Sequence, residues 1–341
     1  MINCLSTSND INNSRPFDIH VWSDYPEFNQ LVDQLWFRHF PIEDDIVRRG
    51  PKSKATSKDH FKALLLDLYV SWLTDPNMYL GISMSKSGWN ANSRYNALHL
   101  SFRIVTIIKN LAGLGIVEFQ KGRQGTLSRI RAAERLQFLF SDLKLPISEI
   151  VFDYMKDPII LRDTSEEPDE MEVKTASKKL KKPNLEYNDT PETKRMRGVL
   201  NKYNELLNKS RLDVFSLEEP YFERSENRGG KKDKVVRHYI TGRNHFVRRI
   251  FNNGSWELGG RFYGGWWQQI GKELRLDIMI NDNPIVEVDF TAMHIALLQA
   301  KVGKKPDPDL VVSKDNETLQ GFDFYQRFCI TRIPRAALKD V

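Results

Sequence analysis

The stretch IVEVDFTAMHIALLQA, residues 285–300, constrains the fold of this chain more than any other feature. Its first six residues alternate in polarity, which predicts a strand with alternate side chains on opposite faces. Thr291 is a helix-capping type, and the apolar run after it predicts a buried helix from 292 to about 301. Asp289 therefore lies where a buried strand ends and a buried helix begins. A buried carboxylate needs a partner, so we expect Asp289 to face a metal, a donor or a cleft, or to bind amides at the helix start.

The composition limits the class of protein. At 341 residues the chain is long enough for two or three domains with cores of their own. The 51 basic residues exceed the 45 acidic ones by six, which permits a polyanionic partner without requiring one. Two cysteines, Cys4 and Cys329, exclude a disulfide framework and a cysteine-rich zinc site. The chain shows no signal-peptide pattern and no apolar run of membrane-spanning length, so we expect a cytoplasmic protein with no membrane partner.

The first 140 residues divide into an irregular leader and an ordered segment. We expect the leader at 1–55, with one short helix at about 27–39. In the segment at 56–140, HFKALLLDLYVSWL predicts a helix, YLGISMS a short strand and SRYNALHL a second set of helical turns. Ser101 then begins a third helix, which ends at a Gly-Leu-Gly break. The stretches IVEFQ and TLSRIR, joined by KGRQG, predict a hairpin with a basic tip.

Three helices followed by a basic hairpin resemble the winged-helix DNA-binding family, most closely in LAGLGIVEFQKGRQGTLSRIRAAERL. The resemblance implies that the third helix enters the major groove and that the hairpin, or wing, contacts the DNA backbone. The residues at the matching exposed positions are Arg103, Thr106 and Asn110 on the helix and Lys121, Arg123, Arg129 and Arg131 on the wing. The alternative is a winged helix that binds protein, with solvated wing cations.

The segment at 141–189 is predicted to link two domains. Its first part, up to residue 163, predicts a connecting strand and loop. The stretch TSEEPDEMEVKTASKKLKKP contains a block of acids followed by a block of lysines and few large apolar residues, so we expect it to be disordered. A helix is predicted at about 190–209, and it opens a second domain at 190–341.

The last third of the chain combines glycine, arginine and aromatic residues. GGRFYGG places Arg261 between two glycine pairs, and two tryptophans follow it. Glycine permits a close approach of the backbone, and arginine and aromatic rings suit phosphate and base contacts. IMINDNPIVEVDF predicts a hairpin that turns at 281–284. The same block also fits an aromatic-rich sheet with glycine turns and no ligand.

The order of these motifs resembles the A-type, single-subunit polymerase family over about 100 residues. A Gly-Arg pair and a glutamine loop precede a strand in which Asp-Phe-Thr, residues 289–291, corresponds to the Asp-Tyr-Ser of the palm. PRAALKD, with Arg335 and Lys339 four residues apart, corresponds to the start of the fingers helix. The resemblance implies an α+β protein: a winged-helix domain followed by a partial polymerase-like palm with a mixed or antiparallel sheet and helices.

The resemblance also implies roles for individual residues. Asp289 would be the catalytic metal ligand for Mg²⁺, since hard cations bind carboxylate oxygens, and Glu287 is a second candidate on the same strand face. Arg335 and Lys339 would bind the triphosphate of an incoming nucleoside triphosphate, and Arg261 and Gln269 would lie near the primer–template backbone. His294 replaces the glutamate that screens the sugar in the family, which leaves the choice of deoxy or ribo nucleotide open.

The family pattern is incomplete in this sequence, because Val341 falls within the predicted fingers helix and no second aspartate motif follows. We therefore expect a partial gene product that binds nucleic acid, DNA above all, and is inactive unless completed. The alternative is a DNA-binding replication initiator or regulator with a non-catalytic C-terminal domain. A metal-dependent nuclease using Asp289, Glu287 and His294 is a third reading, although its spacing fits no known motif.

Overall fold

The structure, a computed structural model, describes residues 13–40, 55–123, 126–163, 183–226, 234–240, 244–287, 297 and 300–303. These residues form an α+β protein with several mixed and antiparallel sheets. The chain divides into two compact units, Met1–Lys209 with Pro220–Gln269 and Ser210–Glu219 with Ile270–Val341. The helices are α1 (Pro26–His39), α2 (Ser57–Thr74), α3 (Arg103–Gly113), α4 (Glu134–Asp142), α5 (Pro191–Lys209) and α6 (Lys272–Arg275).

Twelve strands form four sheets within the described residues. The first sheet has the order β1-β2-β4-β3, the second β10-β9-β5 and the third β12-β11-β6, while β7 and β8 form a hairpin. The strands are β1 (Ser14–Pro16), β2 (Tyr79–Ile82), β3 (Val117–Gln120), β4 (Ser128–Ala132), β5 (Ile159–Leu161), β6 (Leu212–Val214), β7 (Tyr221–Glu226), β8 (Lys234–Tyr239), β9 (Arg248–Phe251), β10 (Gly259–Tyr263), β11 (Ile278–Ile280) and β12 (Asn283–Pro284).

The first unit is built on α2, a long helix that is apolar on most sides. Its start is fixed by a capping box, in which Thr56 accepts from the amide of Asp59 and Asp59 accepts from the amide of Thr56. The helix packs against α1, α3 and β4, and its leucines lie at the centre of the largest apolar cluster. The predicted first helix, third helix and hairpin are present as α2, α3 and β3–β4.

Part of the predicted leader belongs to this same core. Strand β1 pairs in parallel with β2, and α1, which was predicted at 27–39, packs against α2. Val21 and Phe28 are fully buried in the apolar cluster. The periodicity of α1 was sufficient to predict the helix, whereas a strand of three residues leaves no periodic pattern.

The helical turns predicted at 93–100 are not formed; this segment consists of turns. Asn96 explains the difference, because its amide donates to the carbonyls of Asn90 and Leu100 and its oxygen accepts from the Leu100 amide. Such local bonds compete with the hydrogen-bond pattern of a helix. His99 has φ of 51°, in the left-handed region, and this also interrupts a helix.

The second sheet, α5 and the β7–β8 pair also belong to the first unit. Strand β5 pairs in parallel with β9, and β9 pairs antiparallel with β10. The connecting strand predicted before residue 163 is β5, and the helix predicted at 190–209 is α5. Arg94 and Arg197 both bind Asp157 and Asp189, and this ion-pair network holds the turn segment against α5. The predicted disordered stretch at 164–182 lies outside the described residues.

The second unit contains the sheet β12-β11-β6. Strands β11 and β12 form a hairpin within IMINDNPIVEVDF, as predicted, but β12 lies inside the turn predicted at 281–284. The observed turn at Asn281 and Asp282 uses φ values of 50° and 65°. The described part of the predicted strand after it, residues 285–287, lies in no strand. Positions 297, 300 and 301 are helical, as predicted, but Leu297 is exposed where the pattern predicted burial.

Candidate nucleic-acid interface

Helix α3 presents a polar face opposite its buried one. Its apolar residues recur every three to four positions and lie in the core, so the intervening residues must face solvent. Thr106 and Asn110 are exposed on this face, one turn apart, and Arg103 is half-buried at the first position of the helix. The three residues predicted for major-groove contact thus lie on one surface of one helix.

The wing between β3 and β4 carries two exposed cations. Lys121 and Arg123 both face solvent, and the turn is fixed where the Arg123 amide donates to Thr126 at 2.9 Å. Arg129 is half-buried on β4, and its guanidinium donates to the carbonyl of Leu127 at 2.9 Å. Burial lowers the pKa of Arg129 below its ordinary value.

Arg131 does not lie on the exposed part of the wing, contrary to the prediction. It is only 9% exposed, its Nε donates to Glu118 on β3 at 2.7 Å, and its guanidinium lies 4.7 Å from the centre of the Tyr79 ring. Glu118 is directly opposite Arg131 in the register of the hairpin, so the pair is a cross-strand ion pair. Arg131 therefore stabilises the sheet.

The Gly-Arg segment forms strand β10 at the edge of the second sheet as far as it is described. Gly259 and Gly260 have φ of 83° and 72°, and a bulge interrupts the pairing with β9 at this point. A side chain at Gly260 would meet the ring of Phe251 at 2.8 Å. The bulge directs Arg261, Phe262 and Tyr263 towards solvent, with 55% of Phe262 and 42% of Tyr263 exposed.

A glutamine fixes the turn that follows β10. Gln268 accepts from the Gly264 amide at 2.9 Å and donates to the Phe262 carbonyl at 3.0 Å. Gly264 has φ of 123°, and a Cβ there would collide with the carbonyl oxygen of Phe246. Gln269, which was predicted to approach the primer–template backbone, is exposed next to this turn. Its carbonyl accepts from Arg224 at 3.4 Å.

Of the two predicted Mg²⁺ ligands, only Glu287 lies within the described residues, so the predicted site stays a prediction. Glu287, one of the two predicted metal ligands, accepts from Arg275 at 2.6 Å. A guanidinium at this distance competes with a cation for the same oxygen. No group of three His, Cys, Asp or Glu side chains with metal-binding geometry occurs among the described residues. The remaining predicted residues, Asp289, His294, Arg335 and Lys339, lie outside the described part of the chain.

The structure also contains a cavity that the sequence patterns did not indicate. It has a volume of about 560 Å³ and lies in the first unit, between β1, the end of β8 and the start of β9. Four cationic side chains and two carboxylates line it: Arg15, Lys156, Arg237 and Arg248, with Asp18 and Asp157. Because these residues are far apart in sequence, no motif spacing could have predicted them.

The cationic side chains of this cavity differ in how they are paired. Arg15 binds Asp67 at 2.7 Å and Arg237 binds Glu223 at 3.0 Å. Lys156 lies 4.9 Å from the centre of the Phe246 ring. The Nε of Arg248 is buried and has no hydrogen-bond partner in the described structure. Burial, together with the neighbouring positive charge of Arg162, lowers the pKa of Arg248.

Comparisons with known proteins do not assign this chain to a family. No protein-family model matches the sequence, and no curated protein or solved structure is significantly similar to it. Among the described helices, we find none whose length and hydropathy would let it cross a lipid bilayer. The residues of α3, the wing and β10 are therefore the basis on which a function is proposed.

Proposed function

We propose that this chain binds nucleic acid, and DNA in particular, through the exposed faces of β10, α3 and the wing. The observation that carries the proposal is β10, where Arg261, Phe262 and Tyr263 are consecutive and exposed on an edge strand. Arg261 and Tyr263 lie on one face of the strand and Phe262 on the other. Each face thus exposes an aromatic ring on which a base can stack, and Arg261 can bind the phosphate backbone.

The finer proposal is a template-directed nucleotidyltransferase of the polymerase type. Support comes from the sequence order of the Gly-Arg strand, the glutamine turn and the aspartate motif. Asp289 would bind Mg²⁺, and Arg335, Lys339 and His294 would contact a nucleoside triphosphate. Glu287 is left out of this proposal because it binds Arg275. The protein would act in the cytoplasm.

The alternative is a DNA-binding replication initiator or regulator without catalysis. The observation that favours it is the polar surface of α3, on which Thr106 and Asn110 are exposed. The wing that follows α3 in the chain has two exposed cations, Lys121 and Arg123. A helix with this polar surface can bind base edges in the major groove, and the wing can bind phosphates.

DNA binding can be measured by fluorescence anisotropy with labelled single-stranded and duplex oligonucleotides. The double variant Arg261→Ala/Phe262→Ala should bind single strands about tenfold more weakly, because one stacked base contributes about 1–3 kcal/mol. Arg195→Ala is the matched control, since Arg195 is an exposed arginine on α5 paired with Glu192. Equal affinity of the double variant and the wild type would show that β10 is not the contact.

Catalysis is tested separately by primer extension by a full-length form of the protein, with Mg²⁺ and all four nucleoside triphosphates. The polymerase proposal expects extension that is lost in Asp289→Ala while DNA affinity is retained. Extension that survives Asp289→Ala would remove the proposed role of this residue. DNA binding without any extension would favour the initiator or regulator.

A further inference from the structure

The cavity in the first unit contains an arginine whose burial has no structural explanation. Removing a guanidinium from water is unfavourable unless an anion or hydrogen-bond acceptors replace the water. Arg248 is half-buried, and its Nε lacks a partner in the described structure. Arg162, whose charge acts on Arg248, also has a buried Nε without a partner there. Arg248 lines the cavity and Arg162 does not, so an anion in the cavity would lie beside Arg248.

Arg249, the next residue of β9, shows that arginines on this strand do not in general lack hydrogen-bond partners. The side chains of Arg248 and Arg249 point to opposite faces, as successive residues of a strand do. Arg249 donates to the Gly260 carbonyl at 2.8 Å and to the sulfur of Met196 at 3.2 Å, and it lies 4.9 Å from the Phe251 ring. Arg249 thus has structural partners, whereas Arg248 faces the cavity.

The carboxylates of the cavity do not neutralise this charge. Asp157 is bound by Arg94 at 2.9 Å and by Arg197 at 3.3 Å. Asp18 accepts from the His20 amide at 3.0 Å, and it is the one group whose charge favours the protonated form of Arg248. Arg15 and Arg237 are already paired with Asp67 and Glu223, so it is Arg248 that favours an anion in the cavity.

The remaining lining suits a ligand larger than an inorganic anion. Phe17, Tyr95, Tyr239 and Phe246 contribute aromatic rings to the cavity. Its volume of about 560 Å³ lies within the range of roughly 300–1,000 Å³ that is typical of small-molecule sites. We propose that the cavity binds a nucleoside phosphate group, with the phosphate on Arg248 and Lys156 and the base among the aromatic rings.

A nucleoside phosphate group can belong to either of two ligands, a free nucleotide or the 5′-phosphate end of a nucleic acid. The planar guanidinium of arginine can donate two parallel hydrogen bonds to two oxygens of a phosphate group, which suits either source. Binding of a free nucleotide does not depend on the proposed DNA interface on β10 and the wing. The Arg261→Ala/Phe262→Ala variant therefore distinguishes the two proposals, because it should lose DNA affinity and keep the nucleotide site.

The test is thermal unfolding of the full chain with and without AMP or inorganic phosphate, at an ionic strength matched with chloride. Wild type should unfold several degrees higher at saturating AMP, since a ligand that binds only the folded state stabilises it. Arg248→Met should unfold at or above the wild-type temperature without ligand and should lose the shift. Arg249→Met should unfold at a lower temperature and keep the shift.

Lys156→Gln is a second variant, useful if Arg248→Met fails to fold, and it should reduce the shift. An equal shift in wild type, Arg248→Met and Lys156→Gln would overturn the proposal, because phosphate salts also stabilise proteins without a site. Oligonucleotides with a 5′-phosphate or a 5′-hydroxyl identify the source. Tighter, Arg248-dependent binding of the phosphorylated strand assigns the site to nucleic-acid ends, and equal binding of the two strands assigns it to free nucleotides.

Discussion

Arg15 and Arg131 of the first sheet differ from Arg248 of the second in how their guanidinium groups are paired, although Arg249 of the second sheet has partners of its own. In the first, Arg15 on β1 binds both oxygens of Asp67, and Arg131 on β4 binds Glu118 and stacks on Tyr79. In the second, Arg248 has a buried Nε with no partner in the described structure. Arg129 is intermediate, because its Nη1 has a backbone acceptor and its buried Nε has none.

This difference distinguishes arginines that stabilise the fold from an arginine that is proposed to bind a ligand. A buried ion pair whose hydrogen bonds are complete contributes to a defined structure, and removal of one partner leaves an uncompensated charge. A buried guanidinium nitrogen without a partner is costly in the free protein, and such groups are more frequent at functional sites than elsewhere. The two sheets can therefore be compared by the sign of the change in stability when an arginine or its partner is replaced.

The largest effect is expected at Asp67, whose side chain is fully buried in α2. Asp67→Ala should lower the free energy of unfolding by about 3–5 kcal/mol, because Arg15 loses the buried carboxylate it binds and the amide of Asp18 loses an acceptor. Urea unfolding followed by circular dichroism measures the change. Arg248→Met, by contrast, should not lower the free energy of unfolding, so these two variants give the largest difference between the two sheets.

The double variant Arg15→Met/Asp67→Leu is the control for this prediction. Replacing both charges with apolar side chains should recover much of the lost stability, since the desolvation cost disappears together with the attraction. If Asp67→Ala unfolds at the wild-type urea concentration, the Arg15–Asp67 pair does not stabilise the first sheet and the comparison fails.

A smaller effect is expected from pH, through buried histidines in both regions. Burial lowers the pKa of His60 on α2 and of His245 before β9 below the ordinary value. His60 also uses both ring nitrogens, since Nδ1 lies 2.6 Å from the Thr56 carbonyl and Nε2 accepts from the Ser101 amide at 2.7 Å. Protonation would remove the acceptor for Ser101.

The sign follows from the direction of these shifts. A histidine whose pKa is lowered on folding binds a proton more readily in the unfolded chain, so its contribution is present above about pH 6.5 and is lost as the pH falls. The free energy of unfolding should therefore decrease from pH 7.5 to pH 5.5. His60→Gln should flatten this dependence. An unchanged pH dependence in His60→Gln would show that His60 is not one of the responsible groups.

The elements with local patterns could be predicted from the sequence. The periodicity of α1, α3 and α5 and the turn chemistry of the β3–β4 and β11–β12 hairpins were sufficient. The segment at 93–100 could not be predicted, because Asn96 replaces helical hydrogen bonds with its own side chain. The cavity could not be predicted either, since Arg15, Lys156 and Arg248 meet only through the tertiary fold.

The candidate site was predicted only in part, because local patterns predict exposure but not tertiary contacts. Exposure of Arg261 and of the α3 residues follows from local pattern, whereas the partner of Arg131 depends on the register of two strands. Glu287 and Arg275 are 12 residues apart on opposite sides of a hairpin, and their ion pair has no sequence signature. The exposure of a charged side chain can be predicted from the local sequence pattern, whereas its ion-pair partner depends on the tertiary fold.

The smallest effect on stability is expected at the tip of the wing, where the function of a charge can be measured with little change in the fold. Lys121→Ala/Arg123→Ala should unfold like wild type, because exposed side chains with few contacts contribute little. It should bind duplex DNA more weakly, and the slope of log affinity against log salt should fall by about two, one for each lost phosphate contact. Arg131→Met should show the reverse: lower stability and an unchanged salt slope. A wing variant whose salt slope equals that of wild type would assign Lys121 and Arg123 to the solvated surface.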